Sequence, residues 1–171
     1  MATAQRLRLV AVDTNILLRL AEEEELTLDG IQAVRSRLRP VEFVVPPTAY
    51  QELAHLAGRG DKRAEGAFAR KALTDLRDAW RFTPVPLNAL QKALAVNASL
   101  RLLHAGLLPD AEQNDARIVA ESAVLMCVLL VSNDSHLLDI DHRQLGLLFR
   151  ELDLPVPIIA SPRDLVKLYP R

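Results

Sequence analysis

Four carboxylates stand where short apolar runs end or where the segments that follow them begin. Asp13 closes the run LRLVAV at 7–12, inside DTN, and Asp134 closes CVLLVS at 127–132, inside SND. Glu52 falls in the first turn of the helix expected after a second run, EFVVP at 42–46. Asp115 falls within the first two turns of the helix that feeds the third run. In an open parallel sheet, functional residues gather at the carboxyl ends of strands, so these four acids could converge on one edge. Carboxylates that close repel unless a cation sits between them. An all-oxygen set suits Mg²⁺ or Mn²⁺ and not zinc. Taken singly, each acid reads first as a helix cap or a strand-end turn; the positions taken together favour a metal site.

The elements that must position these residues read as alternating strands and helices. VPIIA at 156–160 makes a fourth apolar run. Runs that are continuously apolar suggest strands buried on both faces, as in a parallel sheet. Helical spacing of apolar residues predicts helices over 28–38, 64–80, 87–103 and 109–124, the last opening on Pro109 and acids. Thr48 and Gln51 have the form of a capping box, and Ser161-Pro162 opens a short final helix. The expectation is a single domain over 1–171 with a three-layer α/β/α fold and a central, mostly parallel sheet of four or five strands.

Charge and composition narrow the function classes. The net charge is −1, so any nucleic-acid contact must be local rather than global. Residues 110–141 carry seven acids against one base, Arg117, whereas 59–81 carry seven bases against four acids. Solvated helix faces are the default reading of both. The chain has 6 glycines and no Gly-rich phosphate loop, which argues against P-loop and dinucleotide-binding folds. A lone Cys127 excludes an internal disulfide and fits a reducing compartment. The longest uncharged run, 122–133, is too short to span a bilayer, and the N-terminus lacks a signal-peptide core. The expectation is a cytoplasmic protein with no membrane contact.

VAVDTNILL, the Glu of TAYQELAHL, the Asp of NDARIVAESA and the Asp of VSNDSHLL resemble the acidic motifs of PIN-domain nucleases. These recur in VapC-like toxins of type II toxin–antitoxin pairs. The resemblance runs from Val10 to Leu168 and includes IIASPRDLVKLY. It implies that Asp13, Glu52, Asp115 and Asp134 bind Mg²⁺ or Mn²⁺, with Thr14, Asn15 and Ser132 bracing them. The implied activity is hydrolysis of single-stranded RNA phosphodiesters by a metal-activated water. A homodimer and an antitoxin protein are the implied partners. The gap between Glu52 and Asp115 is long for a compact toxin, which leaves room for a non-toxin RNA-processing nuclease of the same family.

Arg59, Lys62 and Arg63 follow the Glu52 helix and are candidates for RNA phosphate contact; a solubilising loop is the alternative. His136, two residues after Asp134, could bind phosphate or assist a proton, against the default of a packed or solvated ring. Asp139 and Asp141 read as a surface turn able to lend a ligand, Asn114 as a first-turn helix residue, and Tyr50 and Trp80 as core packing. Two other functions compete. An aspartyl phosphotransfer protein could use Asp13 as nucleophile, although Asn15 stands where a dehalogenase-like phosphatase wants a second Asp, and a receiver domain wants paired early acids. A non-catalytic nucleic-acid-binding or scaffold module is the third reading, against which stands the presence of all four acids.

Overall fold

The computed structural model describes residues 6–59 and 64–169. Its centre is a five-stranded, all-parallel sheet in the order β3-β2-β1-β4-β5. The strands are β1 (Arg8–Val12), β2 (Val41–Val45), β3 (Phe82–Pro84), β4 (Leu129–Val131) and β5 (Ile158–Ala160). Val10, Ala11 and Val12 of β1 and Leu130 and Val131 of β4 are fully buried. Covered on both faces, these strands need no polar alternation, and their unbroken apolar runs follow from that. The expected α/β/α layering and parallel sheet are therefore borne out, with five strands.

The helices among the described residues are α1 (Thr14–Ala21), α2 (Glu25–Arg37), α3 (Pro47–Gly58), α4 (Ala64–Asp78), α5 (Ala89–His104), α6 (Gln113–Val124), α7 (Ser135–Leu138), α8 (His142–Arg150) and α9 (Pro162–Leu168). None is long and apolar enough to cross a membrane. Ser161 caps α9 in a capping box with Asp164, and Pro162 takes the first helical position.

Several expectations need correction. The helix after β2 begins at Pro47, so Glu52 lies in its second turn rather than its first. Pro is pre-set for a helix start, and Thr48 is thereby drawn inside the helix, where it caps nothing. The helix carrying Asp115 begins at Gln113 and not Pro109; residues 109–112 form a turn closed by the Glu112 N–H donating to the Pro109 carbonyl at 2.9 Å. Tyr50 is 40% exposed rather than in the core. Trp80 lies past the end of α4, half-buried, its ring tilted against Phe82 at 6.0 Å. β3 escaped the sequence reading because it is a three-residue edge strand ending in proline.

At the contact of α2 with α9, a Cβ added at Gly30 would lie 2.8 Å from both Cα and Cβ of Pro162. The obstacle is a backbone atom and a rigid ring, so no rotamer change relieves it. Gly30→Ala is expected to lower stability in urea unfolding by about 1–3 kcal/mol through overpacking, despite the ~1 kcal/mol that Ala gains over Gly in a helix. An unchanged or raised midpoint would mean that α9 yields at no cost.

Candidate active site

Strand order reverses direction about β1, since β2 lies on one side and β4 on the other. The loops leaving β1 and β4 therefore diverge and open a crevice at their carboxyl ends, the place where open α/β sheets bind ligands. Asp13 stands there, 3% exposed. It also caps α1, accepting from the Thr14 N–H at 2.6 Å through Oδ1. Its Oδ2 accepts from the Ser132 hydroxyl at 2.6 Å and from Asn15 Nδ2 at 2.6 Å. Burial raises the Asp13 pKa from 3.8 to about 6, against the lowering effect of Ser132 and Thr14; nearby Glu52 and Asp134 raise it further.

The three bracing residues tie the loops together. Ser132 is fully buried, and its Oγ also accepts from the Asp134 N–H at 3.0 Å. Asn15 Oδ1 accepts from the Asn133 N–H at 3.0 Å, joining the loop after β1 to the loop after β4. Thr14 Oγ1 donates to Glu52 Oε2 at 2.5 Å. Asp134 caps α7, its Oδ1 accepting from the His136 and Leu137 N–H groups at 2.7 and 3.4 Å. The cap and metal readings of Asp13 and Asp134 are thus compatible: each carboxylate meets a helix start with part of its oxygens.

Asp115 shows the strongest crowding. Its carboxyl is pushed up to about 8, first by burial, then by Asp13, Asp134 and Glu112, with a hydrogen bond to the Glu112 side chain adding to the rise. Asp13 thus feels Glu52 and Asp134, and Asp115 feels Asp13 and Asp134, so the fold brings the four acids into one electrostatic neighbourhood. Among the described residues, no three acidic, imidazole or thiol side chains lie close enough together to hold a metal ion as they stand. The donor chemistry suits a hard divalent cation: the donors are all oxygens, and burial together with mutual repulsion, which raises the Asp13 and Asp115 carboxyls, is what a cation would offset.

An open cleft of about 370 Å³ is lined by three of the four acids, Asp13, Glu52 and Asp115, with Asn15 and Arg59 among others; Asp134 is not part of its wall. Arg59 is exposed at the end of α3; Lys62 and Arg63 lie outside the described residues. His136 donates its backbone N–H to Asp134, while its ring nitrogen Nε2 stands 3.8 Å from Glu112. Asp141 caps α8 through the Arg143 and Gln144 N–H groups, and Asp139 ends α7, so neither joins the site.

Two contributors escaped the sequence reading. Asn114 Nδ2 donates to Glu52 Oε1 at 2.6 Å. Glu121, 4% exposed, accepts from the Thr48 N–H at 2.9 Å and from Thr48 Oγ1 at 2.8 Å. Thr48 and Glu52 are one helical turn apart on α3, and Asn114 and Glu121 are two turns apart on α6. The two pairs form a double clamp that sets Glu52 against the helix carrying Asp115. Burial raises the Glu121 pKa, and the two bonds from Thr48 oppose the rise. The i, i+7 spacing of Asn114 and Glu121 was a usable signal, but their partners on α3 were not visible without the packing.

A comparison with curated protein sequences returned no match. Among solved structures, the fold is similar to that of VapBC2 from Rickettsia felis bound to a DNA fragment from their promoter. That chain is 14% identical, with a TM-score of 0.60 over 90% of this chain and 98% of the other. It is also similar to VapBC-1 from nontypeable Haemophilus influenzae, 18% identical with a TM-score of 0.57, over 90% and 98% of the two chains. The PIN domain family model matches residues 10–143, a span that contains all four acids and their braces. The chain belongs to the PIN domain family, whose nucleases hydrolyse phosphodiester bonds and generally use divalent metal ions.

Proposed function

We propose that the chain, acting as one domain over 1–171, is an Mg²⁺- or Mn²⁺-dependent endoribonuclease that cleaves single-stranded RNA. The observation that carries this reading is the meeting of Asp13 and Asp115 with Glu52 and Asp134 at the crevice, where burial and mutual repulsion hold two carboxyls well above their ordinary range. Asp13, Glu52, Asp115 and Asp134 would hold the metal. Bound there, a divalent cation supplies an activated water and stabilises charge on the leaving oxygen. Thr14 and Asn114 orient Glu52, and Ser132 with Asn15 orients Asp13. Asp115 would hold the cation as its carboxylate. With three donors on its buried carboxylate, Asp13 is poorly placed as a phosphotransfer nucleophile. Arg59 at the cleft rim would contact RNA phosphate, together with Lys62 and Arg63.

The likeness to VapBC assemblies supports a role as the toxin of a toxin–antitoxin pair. An antitoxin segment would then lie across the acidic cleft and set an Arg among the carboxylates, and two copies would pair as a homodimer. Expression alone should arrest growth, and co-expression with a cognate antitoxin should restore it. An active nuclease that is harmless when expressed would instead be an RNA-processing member of the family.

Asp13→Asn, Glu52→Gln, Asp115→Asn and Asp134→Asn are each expected to cut RNA cleavage by orders of magnitude, read on labelled single-stranded RNA. Asn caps helices as well as Asp does, so Asp134→Asn keeps its cap, whereas in Asp13→Asn the amide nitrogen would face the Asn15 donor. That variant is read on cleavage and on the Mn²⁺ gain, and the other three on melting in EDTA as well. The melting temperature in EDTA should hold or rise, and the gain on adding Mn²⁺, a mass-action effect, should largely vanish. Variants that melt lower in EDTA and still cleave would refute the metal-site assignment.

The raised carboxyls also set a pH dependence. Asp13 and Asp115 move from 3.8 up to about 6 and about 8, so in that window the folded chain holds more protons than the unfolded one. Their contribution to stability is complete below the ordinary carboxyl value and is lost as pH rises through the folded values. In EDTA the melting temperature should therefore fall from about pH 5 to about pH 8, with a shallower fall in Asp115→Asn. Mn²⁺ should flatten the wild-type curve. Identical slopes for wild type and Asp115→Asn would rule out the crowded-carboxyl account.

A further inference from the structure

At the opposite end of the sheet an open cleft of about 950 Å³ lies where α2 ends, β2 begins and α4 hands over to β3. Arg35, Arg39 and Arg81 line it, with Glu42 as its one acid. The Arg35 guanidinium lies over two rings, 5.3 Å from the Phe43 centroid and 5.7 Å from that of Phe82. Those rings stack on each other at 4.9 Å. Arg35 also donates through one amino group to the Trp80 carbonyl. It is thus a mounted guanidinium, fixed in plane by aromatic faces and a backbone oxygen.

Its charge is not neutralised. Among the described residues no carboxylate comes within ion-pair distance of Arg35, Arg39 or Arg81, and Glu42 makes no bond to any of them. Arg81 adds like charge beside Arg35 and holds a left-handed backbone at φ 56°, an uncommon conformation for a residue with a side chain. Among the described residues no buried side-chain nitrogen lacks a partner, so the remaining Arg35 donors reach solvent. A planar fork on an aromatic bed, flanked by further arginines, matches the paired oxygens of a phosphodiester. Carboxylates pair with such a fork too; three arginines with one acid among them favour a strand on which every unit carries a phosphate.

We infer that this cleft is a second nucleic-acid contact, seating backbone phosphates of a single strand away from the point of cleavage; this rests on the nuclease reading of the acidic crevice. The five residues of β2 separate the two ends of the sheet by about 17 Å. A dinucleotide held at the acids cannot reach the cleft, whereas a strand of about ten or more nucleotides can.

The test uses the full chain carrying Asp134→Asn to prevent cleavage, with and without Arg39→Ala/Arg81→Gly; glycine suits the left-handed backbone at 81. Fluorescence anisotropy would follow a ~15-nucleotide single-stranded RNA, the same sequence as DNA, and an RNA dinucleotide as the short RNA, between about 50 and 200 mM salt. The double variant should bind the longer strands roughly tenfold more weakly and lose about 1.4 from the salt slope, as for two phosphate contacts on a single strand. The short RNA should bind unchanged. Equal losses for RNA and DNA would mark backbone contact alone, and a larger loss for RNA would add the 2′-hydroxyl to the same seat. Arg39→Glu/Arg81→Glu should weaken binding further, with melting curves confirming that each variant folds. Unchanged affinity and slope for the longer strands would overturn the inference, as would an equal loss for the short RNA. So would poly-glutamate competing as well as RNA at equal charge. Because binding is read without cleavage, a chain that binds through these arginines yet cuts no RNA would fail the ribonuclease reading alone.

Discussion

A carboxylate buried at the end of the central strand is the constraint around which the rest of the molecule is arranged. Asp13 is 3% exposed and has two other acids near enough to raise its pKa. An ionised group in that position is costly unless its oxygens are met by donors. The chain meets them from three residues, two of them adjacent in sequence and one 119 residues away. Ser132 in turn receives the Asp134 N–H, so the loop after β4 cannot shift without loosening the oxygens of Asp13. The all-parallel sheet makes this possible, because it sets the ends of β1 and β4 side by side while sending their following loops apart.

The second constraint is the angle between α3 and α6. Apolar packing brings these helices together, yet it is non-directional and would tolerate a slide along either axis. The polar pairs Thr48–Glu121 and Glu52–Asn114 are directional, and a slide would break both. Glu121 pays for its near-complete burial with a raised pKa, but its two acceptor oxygens are matched by two donors of one residue. Such fully satisfied buried networks specify an arrangement more than they add to net stability. Here the arrangement specified is the approach of Glu52 toward the start of the helix bearing Asp115.

A net charge of −1 conceals a molecule with two unlike ends. At the carboxyl ends of the strands, four acids crowd a crevice; at the amino ends of β2 and β3, three arginines line a cleft with a single acid. Both ends hold like charges together, and both do so by attaching a charged group to rigid parts of the fold. At one end those parts are buried hydroxyl and amide donors, and at the other they are stacked rings and a carbonyl. Charge held in this way cannot relax by turning toward a neighbour, so it remains available to a ligand of opposite sign.

How much of this was legible in the chain depends on the range of the interactions. Asp13 and Asp134 could be placed because a strand end is a local feature: an apolar run stops and a polar triplet begins. The parallel sheet followed from runs with no alternation, and Ser161-Pro162 from cap chemistry, which is local too. Thr48 shows where local reasoning stops. Its capping-box pattern is real in sequence, but Pro47 starts the helix earlier, and the hydroxyl finds Glu121, 73 residues away, instead. β3 and α1 were missed because one is three residues long and the other follows directly from the strand before it. Tyr50 keeps a helical spacing among apolar neighbours yet faces solvent, since only the packing of α3 decides which of its faces is covered. Residue types and spacing thus determined which acids could act and roughly where along the chain they stood. Which partners hold them, how strongly they repel, and that arginines gather at the far end were decided by tertiary structure, because those interactions join residues that only the fold brings together.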